Sequence, residues 1–167
     1  GARIELDGGD IIARADRLQG ATIFLGGPFG STVLGTANVM SAATLANGKT
    51  IIESAACEPE ISDLANLLNS MGAKISGAGT PRITIDGVEE LGSAKHAVMP
   101  DRVVAGTWAI ACAMTNGDVQ IDRFPFDHLI AYILHYFSRI SNHHFSFGNS
   151  SLGRNKTQGS NNTIGSN

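Results

Sequence analysis

One unit of about 71 residues is spelled almost twice in this chain. Gly1-Ala2-Arg3-Ile4 returns as Gly72-Ala73-Lys74-Ile75, and Gly35-Thr36 returns as Gly106-Thr107, both displaced by 71 residues. Each Gly-Thr opens a run of small and apolar residues. Then come Asn47-Gly48 or Asn116-Gly117, a short strand pattern and an amphipathic segment. Two different motifs at one displacement mark a repeat architecture, in which a unit buries its apolar faces only against its neighbours. The chain is expected to be a piece of an assembly of like units.

Within the unit the hydrophobic period alternates between that of strands and that of helices. Arg3 to Leu6 and Ile11 to Ala15 read as strands around the turn Asp7-Gly8-Gly9-Asp10, and Ala21 to Leu25 as a third strand. Gly26 to Gly30 reads as a loop. Thr36 to Ala46 reads as a helix without a single charge, expected to be buried on nearly all sides. Asn47-Gly48 ends it, and Thr50 to Ser54 is a strand. Pro59 suits a first helical position, and Ile61, Leu64, Leu68 and Met71 then share one face of a helix that stops at Gly72. Lys74 to Ser76, Arg82 to Asp86 and Lys95 to Val98 repeat the strands. Arg102 to Met114 repeats the apolar helix with Trp108 in its core, and Val119 to Ile121 repeats a strand. Phe126, Leu129, Ile130, Ile133, Leu134 and Phe137 form a last helical stripe. The unit is therefore βαβαββ.

Regular patterning fails after Ile140. From Asn142 to Asn167 no acidic residue occurs, and Asn, Ser and Gly supply fifteen of twenty-six positions, so disorder is expected there. Gly1 lies inside a strand pattern with no initiator methionine, which suggests a fragment. With two incomplete sets of units, the exposed stripes are expected to make the isolated chain aggregate or behave as a molten state.

A net charge of −3 gives no reason to expect nucleic acid or an anionic membrane as partner. No apolar run is long enough to span a bilayer and no signal peptide is visible, so a cytoplasmic protein is expected. Cys57 and Cys112 are too few for a disulfide framework and read as reduced, buried thiols. The five histidines show no ligand spacing, so no metal and no cofactor is expected.

Two loops precede the apolar helices: Gly30-Ser31-Thr32-Val33-Leu34-Gly35 and Pro100-Asp101-Arg102-Val103. Free N–H groups and the positive dipole end at a helix start attract anions. Ordinary capping by Ser31 or Thr32 explains the same residues. Gly26 to Thr32 is glycine-rich in the manner of a Walker loop, but Ser31 stands where lysine is required, which argues against a nucleotide triphosphatase. In Glu58-Pro59-Glu60, Glu60 suits the first turn of a helix, whereas Glu58 either lines a cleft or serves the same helix start. Asp101-Arg102 reads either as a local ion pair or as a cleft pair.

At these blocks the chain resembles the enolpyruvyl transferases, and among them UDP-N-acetylglucosamine 1-carboxyvinyltransferases. The resemblance rests on Thr36 to Ala46, on Thr50 to Ile61 with its Glu58-Pro59-Glu60, on Gly72 to Gly77 and on Pro100 to Thr107. It extends over residues 1–141. It implies an α+β fold, an alpha-beta prism built from repeated βαβαββ units and incomplete in this fragment. Residues 1–99 would be the C-terminal part of a first domain, 100–141 the start of a second, and 142–167 a polar tail of foreign or frame-shifted character.

The implied reaction moves the enolpyruvyl group of phosphoenolpyruvate to the 3-hydroxyl of UDP-N-acetylglucosamine, the first committed step of peptidoglycan precursor synthesis. The resemblance places Gly30, Ser31, Thr32 and Val33 against the UDP-sugar, and Glu58 and Asp101 at acidic positions near the cleft. The family's proton donor lies outside this chain, which implies no catalytic residue here and no turnover by the chain alone. Two features depart from the family's pattern. The loop Gly27-Pro28-Phe29-Gly30 is longer, and Cys57 stands where a basic residue is common. The alternatives are the shikimate-pathway enolpyruvyl transferase and a non-catalytic UDP-sugar-binding remnant.

Overall fold

A computed structural model describes residues 1–129 and the backbone of 146–148. It divides into two compact units, one ending at Met99 and the other beginning at Pro100. The fold is mixed α/β.

The first unit opens with an antiparallel hairpin of β1 (Arg3–Asp7) and β2 (Asp10–Arg14). Gly8 and Gly9 both take positive φ, 57° and 99°, as a two-residue turn matched to strand twist requires. The register sets Ile4 against Ala13 and Leu6 against Ile11, so one face is wholly apolar. That face is open: Ile4, Leu6 and Ile11 are 68%, 80% and 73% exposed.

Then follow β3 (Thr22–Phe24), the short hairpin β4 (Gly26–Gly27) with β5 (Gly30–Ser31), α1 (Val33–Ala43), β6 (Lys49–Glu53), α2 (Pro59–Ser70), β7 (Lys74–Ser76) and β8 (Arg82–Asp86). From β3 onward, leaving aside the short hairpin, this is the expected βαβαββ order. One sheet runs β3-β6-β8-β7, with β3 parallel to β6 and the other neighbours antiparallel. Its inner strands point Ile52, Ile83 and Ile85 into a core closed by Met40 of α1 and by Ile61, Ala65 and Leu68 of α2. Ile61, Ala65 and Leu68 recur at spacings of four and three, which is why α2 lies flat on the sheet. A left-handed Gly72, φ 102°, ends that helix.

Helix α1 starts three residues before its expected position because Thr32 caps it, and it stops at Ala43 before a tighter turn through Ala46. The expectation of burial on nearly all sides does not hold. Thr36, Met40 and Ala43 are buried, but Leu34, Asn38, Ser41 and Leu45 form an exposed stripe. The sheet and α2 cover one side of α1 only, and its missing charges do not report on the other side. Beyond β8 the segment 87–100 is irregular, where a strand had been expected over Lys95 to Val98. Within it the amides of Gly87, Val88 and Gly92 bond the carbonyls of Gly48, Thr44 and Met71, and no ladder to a neighbouring strand forms among the described residues.

The second unit contains α3 (Arg102–Thr115), β9 (Gln120–Asp122), a helical turn from Phe126 to Leu129 and β10 (Ser146–Gly148). Asn116 closes α3 with φ 51°. Ala105 and Ala109 pack with Phe124 and Leu129. Trp108, expected in the core, is 60% exposed, because the buried stripe of α3 runs through Ala105, Ala109, Cys112 and Ala113. The strand β10 pairs in parallel with β9. At those three residues the backbone is paired, where an unstructured tail had been expected. The stripe from Ile130 to Phe137 and the rest of the tail lie outside the described residues. No helix among the described residues is long and apolar enough to cross a membrane.

Candidate functional site

The leading turn of α1 is built by Thr32. Its backbone is extended, φ −106° and ψ 123°, and its Oγ1 accepts the Gly35 amide at 3.2 Å. Its carbonyl accepts the Thr36 amide at 2.9 Å and the Thr36 hydroxyl at 2.8 Å. Gly35 is required by this cap: a Cβ there would meet Cγ2 of Thr32 at 2.5 Å. The capping uses Gly35 and Thr36, so the amides of Val33 and Leu34 find no acceptor among the described residues. Ser31 and Thr32 are exposed and Val33 is half-buried. The turn thus offers two backbone donors and two hydroxyl-bearing residues to solvent, at the positive end of a helix without charge.

Thr36 does a second job, which nothing in the sequence periodicity reveals. Its fully buried Oγ1 accepts the amide of Ala56 at 3.0 Å. The chain leaving β6 turns at Ser54, φ 55°, and the Ala55 amide bonds the Pro81 carbonyl at 2.8 Å. These two bonds seat the segment before α2 beside the start of α1. The structure thus sets Ala56, two residues before Glu58, against Thr36, four residues beyond Thr32.

Glu58 is the N-cap residue of α2, with an extended backbone, yet its side chain makes no capping hydrogen bond. Pro59 at the next position has no N–H to offer. Of the two readings of Glu58, a carboxylate left available fits better than a structural cap. Glu60 lies in the first turn of α2, where a negative charge favours the helix dipole. Cys57 is exposed, contrary to the expectation of burial, because it sits in the turn between β6 and α2; Cys112 is buried within α3.

Asp101 belongs to the second unit. One carboxylate oxygen, Oδ1, accepts the amides of Val103 at 2.8 Å and Val104 at 3.0 Å. It caps α3, so that oxygen is committed to the backbone. The longer loop ahead of α1 takes the form of the β4–β5 hairpin, with Gly26 opposite Ser31 and a fully exposed Phe29 at its tip.

The family model described as EPSP synthase (3-phosphoshikimate 1-carboxyvinyltransferase) matches residues 1–147. A relative from Methylacidiphilum infernorum named UDP-N-acetylglucosamine 1-carboxyvinyltransferase is 53% identical over 129 residues, 77% of this chain and 31% of the relative. A protein of the same name from Akkermansia muciniphila is 52% identical over 130 residues, 77% of this chain and 31% of its own length. A third, from Afipia carboxidovorans, is 58% identical over 122 residues, 72% and 28% of the two chains. The chain spans about a third of the length of these curated relatives. The family model matches most of the chain, and the chain therefore belongs to the EPSP synthase family.

Proposed function

We propose that these residues form part of a UDP-N-acetylglucosamine 1-carboxyvinyltransferase of peptidoglycan precursor synthesis, working in the cytoplasm. The carrying observation is that relatives 52–58% identical to this chain all bear that name. In the proposed reaction the 3-hydroxyl oxygen of the sugar adds to phosphoenolpyruvate to give a tetrahedral intermediate. Loss of phosphate then leaves the enolpyruvyl ether. Residues 1–99 would complete a first domain and residues 100–141 open a second.

The part assigned to this chain is to hold the sugar nucleotide. The open amides of Val33 and Leu34, with Ser31 and Thr32, supply donors suited to a diphosphate. Gly30 takes φ 96°, which a side-chain-bearing residue rarely adopts, and so shapes the approach to that turn. Glu58, whose side chain makes no capping bond, and Asp101, whose Oδ1 caps α3, are the further acidic candidates for contact with substrate. The proposed reaction uses neither a metal nor a cofactor. Phosphoenolpyruvate is the second substrate, and its turnover needs groups beyond these 167 residues, so the isolated chain binds without reacting.

Thr32→Ala is expected to weaken UDP-N-acetylglucosamine binding about tenfold, equivalent to about 1.4 kcal/mol. It should also cost about 1 kcal/mol of stability through loss of the cap. Thr32→Ser should restore both. Calorimetric titration of the chain checks the first and thermal unfolding the second. Tighter binding of shikimate 3-phosphate than of the UDP-sugar would move the chain to the shikimate branch. A coupled phosphate-release assay of the isolated chain should stay at background, and turnover there would overturn the assignment of the chemistry to other residues.

A further inference from the structure

The irregular segment from Gly87 to Pro100 crosses the first unit as a strap. Its first half is firmly held. Gly87 and Val88 donate their amides to the carbonyls of Gly48 and Thr44, at 2.9 and 2.8 Å, just past the end of α1. Arg17 clasps the same place, donating to the carbonyls of Leu45 and Val88 and to the carboxylate of Glu89. Leu91 packs on the core, and the Gly92 amide bonds the Met71 carbonyl at 2.7 Å, at the end of α2.

The second half is held differently. From Ser93 to Met99 the described residues give one polar contact with the rest of the unit: His96 Nε2 to Asp63 Oδ1 at 3.0 Å. Both side chains are largely buried, 18% and 22% exposed, while Ser93, Ala94, Lys95, Ala97 and Val98 are exposed. Asp63 and Met71 are eight residues apart on a helix, about 12 Å. Gly92 and His96 are four residues apart, about 13 Å if extended. The strap therefore lies lengthwise and antiparallel along α2, pinned at one end by a backbone bond and at the other by a single side-chain pair.

We propose that the His96–Asp63 pair is a latch that sets the length of free chain between the two units. Closed, the tether is Ala97 to Pro100, with a reach of about 13 Å; open, it is Ser93 to Pro100, with a reach of about 27 Å. Gly92, exposed and itself the donor of the last backbone bond, is the hinge. This inference is independent of which substrate the protein takes.

The test is limited proteolysis of the whole chain with trypsin, timing cleavage after Lys95 against cleavage after Arg14 in the open β1–β2 hairpin. A protease needs several residues of locally released backbone, so its rate reports the open population. His96→Ala and Asp63→Ala are each expected to speed cleavage after Lys95 about tenfold and to leave the Arg14 rate unchanged. The double variant should be no faster than either single one, since both remove the same latch. Amide exchange at Gly87, Val88 and Gly92 should be unaltered. Unchanged cleavage after Lys95, additive effects in the double variant, or equal acceleration at both sites would each overturn the latch. Equal acceleration would make the pair a general stabiliser instead.

Discussion

Ile83→Ala is expected to lower the thermal midpoint of the first unit by at least about 8 °C, or to leave it unfolded at 37 °C. Ile83 is 0% exposed and sits on β8, an inner strand flanked by β6 and β7. Truncation there removes buried methyl and methylene groups and leaves a cavity among Ile52, Ile85 and the helices, a loss of about 2–5 kcal/mol. For a unit of this size each kcal/mol moves the midpoint by about 4–8 °C. Domain stabilities are typically only about 5–15 kcal/mol, and this unit also leaves apolar faces of α1 and of the β1–β2 hairpin uncovered. Ile4→Ala on that open face should change stability by less than about 0.5 kcal/mol. Circular dichroism melts of the two variants compare an inner sheet position with an open one in the same chain.

Thr36→Val is the second large effect, with about 1–3 kcal/mol lost despite nearly unchanged shape. The substitution keeps the volume and removes the hydroxyl that accepts the Ala56 amide at 3.0 Å. Ala56 is 0% exposed, so its N–H is left without a partner or a route to water. The consequence reaches the site, because this bond seats the segment leading to Glu58 beside the start of α1. Hydrogen exchange at Ala56 should accelerate in Thr36→Val, and UDP-sugar binding should weaken along with it. Thr36→Ser, which retains the acceptor, should recover most of both.

The parts of this structure legible from residue order are those governed by local rules. The Gly8-Gly9 turn, Pro59 at the first position of α2 and the stop at Gly72 each follow from backbone freedom at one or two residues. The βαβαββ order follows from hydrophobic period. What residue order hid depends on contacts distant in the chain. Thr36 reads as one more small residue in an apolar helix, yet its partner is twenty residues away. His96 reads as an isolated histidine, and its partner Asp63 is thirty-three residues earlier. Trp108 and the outer stripe of α1 were misplaced for a related reason. A charge-free helix signals that no face needs water, but not which of its faces the neighbouring elements cover. At the candidate site, the glycine-and-hydroxyl loop announced a helix start able to meet an anion. The bond from Ala56, just before Glu58, to Thr36 of that helix is one that no spacing encodes.

Whether the leading turn of α1 receives a sugar nucleotide decides the proposed function. Amide chemical-shift mapping of the chain during titration with UDP-N-acetylglucosamine, with shikimate 3-phosphate as the comparison ligand, tests this directly. Saturable shifts centred on Ser31, Thr32, Val33 and Leu34 and extending to Ala56 and Glu58, with the UDP-sugar alone, are the expected result. No saturable response there, or the same response to shikimate 3-phosphate, would contradict it.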